Sequence, residues 1–159
     1  MAGQGGQTAQ SRGGRWIREP LTVTDLMTRD VKTVSRDASV TDIAALMRDE
    51  DVGVVPVVDE SGCLAGIVTD RDIVLRAVAE GGVDRPVRDI ATREVFCVRP
   101  DDSTREAERI MSQRQIRRLP VVEGDRLVGI VSLGDIAVKE GKDGRTGDTL
   151  ESISEGVKH

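Results

Sequence analysis

Aromatic side chains are nearly absent from this 159-residue chain, which has no Tyr, one Phe (Phe96) and one Trp (Trp16). Proteins that hold single-stranded nucleic acid stack its bases on aromatic rings, and such platforms are missing here. The one histidine is the terminal His159, so a zinc site or a histidine-assisted nucleophile would have to be built without imidazole. Cysteine is limited to Cys63 and Cys97. Two thiols without a recognisable signal peptide fit a reducing interior, not a disulfide scaffold. No apolar run reaches the roughly 18 residues that a membrane span needs. Positive charge is not in excess either: the formal net charge is -5, which argues against a phosphate backbone as partner. The expectation is a cytoplasmic protein that engages neither nucleic acid nor membrane, with no catalytic residue and no metal site to assign.

Aliphatic residues are plentiful. Hydrophobic residues make up 38% of the chain, enough for a core between sheets and helices. A unit of about 60 residues is marginal by itself, so two such units are expected to share their packing. The sequence says that there are two. Val23, Asp25, Thr28, Arg29, Val31, Val34, Asp37, Ser39, Met47, Pro56, Val57 and Val58 recur 64 positions later as Val87, Asp89, Thr92, Arg93, Val95, Val98, Asp101, Ser103, Met111, Pro120, Val121 and Val122. After a one-residue deletion in the next turn, Leu64, Gly66, Ile67, Val68, Asp72 and Ile73 recur 63 positions later as Leu127, Gly129, Ile130, Val131, Asp135 and Ile136. Self-similarity of this extent means duplication of a structural unit.

Each copy reads as β-α-β-β-α. Short strands are expected at Val31–Val34 and Val95–Val98. Helices follow with Ser39 and Asp42, or Ser103 and Glu106, at capping-box spacing. Their inward faces are expected to carry Val40, Ile43, Ala44 and Met47, then Ala107, Ile110 and Met111. Apolar runs at Val54–Val58 and Leu119–Val122, a polar turn and a Gly-led strand make a hairpin in each copy. A second helix is expected over Asp72–Glu80, with its counterpart starting at Asp135. The fold class is therefore α/β, with helices covering small sheets. The organisation is an arm over 1–20 too polar to pack, repeats over 21–84 and 85–140, and a loose tail over 141–159.

The V-x-D entry segments, the stretch Arg117-Arg118-Leu119-Pro120-Val121-Val122, and the strand ends Gly66-Ile67-Val68-Thr69-x-x-Asp72 and Gly129-Ile130-Val131-Ser132-x-x-Asp135 carry a resemblance. Over Leu21–Glu140 the chain resembles the tandem cystathionine-β-synthase-type domain, or CBS domain pair, in its stand-alone form. The resemblance implies two repeats related by a pseudo-twofold axis, with a cleft that takes adenosine nucleotides or S-adenosylmethionine, and no obligatory cofactor. It implies that Asp72 and Asp135 hold ribose hydroxyls, as acidic residues do in dinucleotide folds, with Thr69 and Ser132 beside them. Val31, Lys32, Val95 and Phe96 would border adenine, and Arg117 and Arg118 would meet phosphates. It also implies a homodimer and an unnamed protein effector.

The same residues support a plainer reading. Thr69-x-x-Asp72 and Ser132-x-x-Asp135 are helix N-cap signatures, and Arg117 and Arg118 also suit solvated charges at a helix end. Where the second repeat has Arg117 and Arg118, the first has Gly53 and Val54, so the Ser132/Asp135 site is expected to favour anionic nucleotides. The alternative function is an interaction or stress-adaptor protein whose cleft is vestigial.

Overall fold

The computed structural model describes residues 20–140, together with two-residue strands β1 (Ser11–Arg12) and β2 (Arg15–Trp16), which pair antiparallel. The arm and the tail expected from the sequence otherwise lie outside the described residues.

The chain enters at a helical turn, α1 (Val23–Leu26), where the Thr22 amide donates to Asp25 Oδ2 at 2.9 Å. Strand β3 (Val34–Ser35) and helix α2 (Val40–Glu50) follow. Ser39 caps α2 by accepting from the Asp42 amide at 3.0 Å. Then come β4 (Val54–Val58), β5 (Leu64–Thr69) and a single turn α3 (Asp70–Asp72), which runs on as a π-helix over Ile73–Val78. The second repeat opens at a 3-10 turn (Val87–Asp89) and continues through α4 (Thr104–Arg114), β6 (Arg118–Glu123), β7 (Arg126–Ser132) and α5 (Leu133–Glu140). In the first sheet β3 is parallel to β4 and β4 antiparallel to β5; β6 and β7 form an antiparallel pair.

The entry strands are shorter than their sequence suggests. The first is only Val34–Ser35, and the second is reduced to Val98 bridged to Val121. Ala44, expected on the inward face of α2, is exposed. The boxes at Ser39 and Ser103 close in one direction only: Ser103 Oγ accepts from the Glu106 amide at 3.2 Å, but the Glu106 carboxylate turns to Arg109 Nε at 2.8 Å. That hydrogen bond holds the Glu106 carboxyl below its ordinary pKa.

Two hydrophobic clusters form the core, and each borrows from the other repeat. Val23, from the start of the first repeat, is fully buried with Val98, Met111, Leu119, Val131 and Ile136 of the second. Val87 and Ile90, from the start of the second, are buried with Val40, Ile43, Val55 and Val68 of the first. A fully buried Val or Ile contributes about 1.5–3 kcal/mol, so the exchange ties the repeats into one body.

The ties come in matched pairs. Val23 N–H donates to Asp102 O and Val87 N–H to Ala38 O, both at 2.8 Å; Thr104 N–H donates to Leu21 O at 3.0 Å and Val40 N–H to Arg85 O at 3.1 Å. The bridge Thr28–Ile130 is mirrored by Ile67–Thr92, and Thr22–Ser103 by Ser39–Pro86. In every case the two members differ by the 64- or 63-residue repeat offset with the roles exchanged. Reciprocal contacts of this kind define a twofold relation, here within one chain. Cys63 bridged to Arg126 pairs one position with its own equivalent, which marks where the axis passes.

Candidate functional site

The hairpin registers place the polar residues. Residues directly opposite on an antiparallel pair share a face, with Cβ atoms about 4.5–5.5 Å apart. Arg118 lies opposite Ser132, and Val54 opposite Thr69. At both strand ends the chain turns directly into a helix, and that turn is tied to its neighbour strand: Leu133 N–H donates to Arg117 O at 2.8 Å and Asp70 N–H to Gly53 O at 3.0 Å.

Each hydroxyl–acid pair closes a full capping box on its own helix. Asp135 N–H donates to Ser132 Oγ at 3.1 Å while Ser132 N–H donates to Asp135 Oδ2 at 3.0 Å. Asp72 N–H donates to Thr69 Oγ1 at 3.1 Å while Thr69 N–H donates to Asp72 Oδ2 at 3.0 Å. The local reading of these motifs is therefore realised, and among the described residues no hydrogen bond or ion pair joins one pair to the other. Capping engages one carboxylate oxygen and leaves Oδ1 of each Asp as an acceptor. The two then diverge. Asp72 Oδ1 lies 3.7 Å from Arg76 Nε, whereas Asp135 Oδ1 meets no donor among the described residues. Arg76 also reaches across the repeats, donating to Ile90 O at 3.0 Å and Thr92 Oγ1 at 3.5 Å.

Arg117 and Arg118 are exposed and make no ion pair among the described residues, so the Ser132/Asp135 end carries two free guanidiniums that the Thr69/Asp72 end lacks. The entry positions diverge as well. Lys32 Nζ lies 3.8 Å from Glu50 Oε1, while the equivalent Phe96, 44% exposed, has the Arg114 guanidinium 4.1 Å above its ring. A cation–π contact of this kind holds the ring face beside the entry to the second strand. Val31 and Val95 are half-buried. Cys97 donates to Val95 O at 3.5 Å, and burial pushes its thiol pKa up.

Sequence reasoning missed Arg76, Glu50 and Arg114. Their signals were present: Arg76 stands four residues after Asp72, and Glu50 and Arg114 share the 64-residue offset of Lys32 and Phe96. Two surface depressions, of about 140 and 200 Å³, are smaller than the roughly 300–1,000 Å³ of usual small-molecule pockets. Of the ten candidate residues only Val95 lines either one. Among the described residues no cluster of His, Cys, Asp and Glu is placed to hold a metal, and no helix is long and apolar enough to cross a membrane.

Comparison with known proteins meets this geometry. The family model described as CBS domain matches residues 23–78 and 87–139. The CBS domain-containing protein YhcV of Bacillus subtilis (strain 168) is 44% identical over 133 residues, covering 83% of this chain and 94% of that protein. Among solved structures, the CBS domain pair of protein MJ0100 in complex with 5′-methylthioadenosine and S-adenosyl-L-methionine superposes with a TM-score of 0.71 at 29% identity, covering 79% of this chain and 99% of the other. CBSX2 in complex with AMP gives 0.69 at 29% identity, over 78% and 98%.

Proposed function

Because the chain belongs to the CBS domain family, with two copies in tandem, we propose that it is a non-enzymatic regulatory module which takes an adenine nucleotide or S-adenosylmethionine between its repeats. The carrying observation is the Ser132/Asp135 end. Its capping box fixes a carboxylate with one oxygen unengaged among the described residues, beside strand β6, whose first residue Arg118 lies opposite Ser132 and follows Arg117, neither arginine being ion-paired among the described residues. A ribose diol donates to such a carboxylate, and a phosphate accepts from guanidinium forks. Phe96, 44% exposed with the Arg114 guanidinium over one face of its ring, supplies an aromatic side chain in the entry segment of the same repeat for a purine to meet. The neighbours solved with AMP and with S-adenosylmethionine support the ligand class.

Occupancy is read out as a population shift: a ligand that touches both repeats favours one relative orientation, and a protein effector senses it in the cytoplasm. The module works as a homodimer. Val74, Leu75 and Val78 on the π-helix and Val138 on α5 are exposed by 47–77%. Leu75 and Val138 are equivalent positions of the two repeats, so each repeat offers an exposed apolar side chain on the helix after its hairpin for a second copy to cover.

The second reading, an adaptor with a vestigial cleft, is favoured by two observations. Both acids are spent partly on caps, with Asp72 further held by Arg76, and neither depression reaches nucleotide size. Calorimetric titration of the full chain with AMP, ATP and S-adenosylmethionine separates the two. The sensor reading expects saturable heat with at least one of them. It expects Asp135→Ala to weaken binding by about tenfold or more, the scale of a hydrogen bond to a charged group, and Asp72→Ala to weaken it less. No heat from any ligand at millimolar concentration leaves the adaptor.

A further inference from the structure

At the other end of the first sheet from Thr69, where β3 and β4 finish and β5 begins, lies the depression of about 200 Å³. Its six lining residues are Arg36, Arg88, Arg93, Val57, Ala65 and Ala91. Half of them are arginines and none is acidic, in a chain whose net charge is -5. The arginines come from two stretches of the chain, held together by the Arg88 amide donating to Arg36 O at 3.2 Å. Arg88 is ion-paired with Asp37. Arg36 and Arg93 are exposed, and neither forms an ion pair among the described residues. Arg93 also borders the adjoining depression, where Asp125 sits.

The fold does not demand the full cluster, because at the equivalent corner only Arg29, the counterpart of Arg93, is kept. The equivalents of Arg36 and Arg88 are Pro100 and Thr24, and Thr24 Oγ1 donates to Pro100 O at 2.7 Å, closing that corner. The equivalent of Ala91 is Met27, which fills space against the second core. Only the first repeat keeps the small side chains that leave a hollow, and only there do three guanidiniums rim it.

We propose that this hollow is a binding site for a small phosphorylated anion, distinct from the cleft position at Ser132 and Asp135. Guanidinium forks match phosphoryl oxygens two at a time, and Val57, Ala65 and Ala91 form an apolar floor suited to a short alkyl group beside the phosphoryl. A phosphomonoester and free phosphate share this chemistry, and the floor tells them apart.

The test titrates the full chain carrying Arg117→Gln and Arg118→Gln, so that the other anion position is silent, with inorganic phosphate and with n-propyl phosphate. Saturable binding is expected. Further substitution Arg36→Gln with Arg93→Gln weakens it by about tenfold or more, at an unchanged circular-dichroism melting temperature. A tighter propyl ester, by about fourfold for each methylene buried on the floor, identifies a phosphomonoester as the ligand; equal affinities identify free phosphate. The proposal is overturned if neither probe saturates at millimolar concentration, or if the chain lacking Arg36 and Arg93 binds with unchanged affinity. Because AMP binding at Asp135 is read in a separate titration, either proposal can fail without the other.

Discussion

Gly66 and Gly129 are fixed by what comes from the other repeat. A Cβ on Gly66 would stand 2.8 Å from Thr92 O, and one on Gly129 2.8 Å from Thr28 O. Both oxygens are backbone atoms locked into the bridges between repeats, at Ile67–Thr92 and Thr28–Ile130, so they have little freedom to retreat. Gly66→Ala and Gly129→Ala are each expected to lower the unfolding free energy in urea by about 1–3 kcal/mol, the usual cost of overpacking. Gly134→Ala is the control. Its Cβ would meet Ser132 Oγ at an ordinary 3.6 Å, and Ala suits a helix better than Gly, so that variant should be neutral or more stable. The recurrence of these glycines was legible in the sequence, but the reason was not, since the blocking carbonyls lie 26 and 101 residues away. The hydroxyl–acid motifs were legible in the same partial way. Their spacing alone favours a cap, the duplication and the family resemblance bring the ligand reading level with it, and only coordinates distinguish the carboxylate oxygen used by the cap from the one left over.

At the scale of elements, the parts that depend on their own sequence were readable in advance: the hairpins β4–β5 and β6–β7, and the helices α2 and α4 with their serine caps. The parts that depend on a distant partner were not. Entry strands need a neighbour's edge to hydrogen-bond to, and here the chain makes that pairing over only one or two residues. The helix after β5 runs as a π-helix from Ile73, a departure that Arg76, bonded to the second repeat's entry segment, accompanies. The exchange of entry segments has a direct consequence. Val87, 0% exposed, belongs to the second repeat in sequence but to the first core in space. Val87→Ala should cost about 2 kcal/mol and lower native-state amide protection first in β4 and β5. Protection lost first in β6 and β7 would show that the repeats are energetically closed units and that the exchange is incidental.

For the whole molecule, the exposed apolar side chains decide what kind of assembly fits. In a twofold dimer the same patch of each copy meets its counterpart, so an exposed apolar side chain offered by a repeat is covered in both copies at once. Scattered apolar residues on a surface are ordinary; what distinguishes these is that the most exposed of them, Val138 at 77%, stands at the repeat position of Leu75, itself 47% exposed. Neither contributes to the two buried clusters, so both can be changed without opening the core. The chain is expected to sediment as a dimer, and Leu75→Glu combined with Val138→Glu to sediment as a monomer with its thermal unfolding little changed, because four like charges facing each other across a closed interface would have to be desolvated. A monomeric parent chain, or a dimer indifferent to both substitutions, would leave these side chains as incidental surface and remove the π-helix and α5 from the assembly.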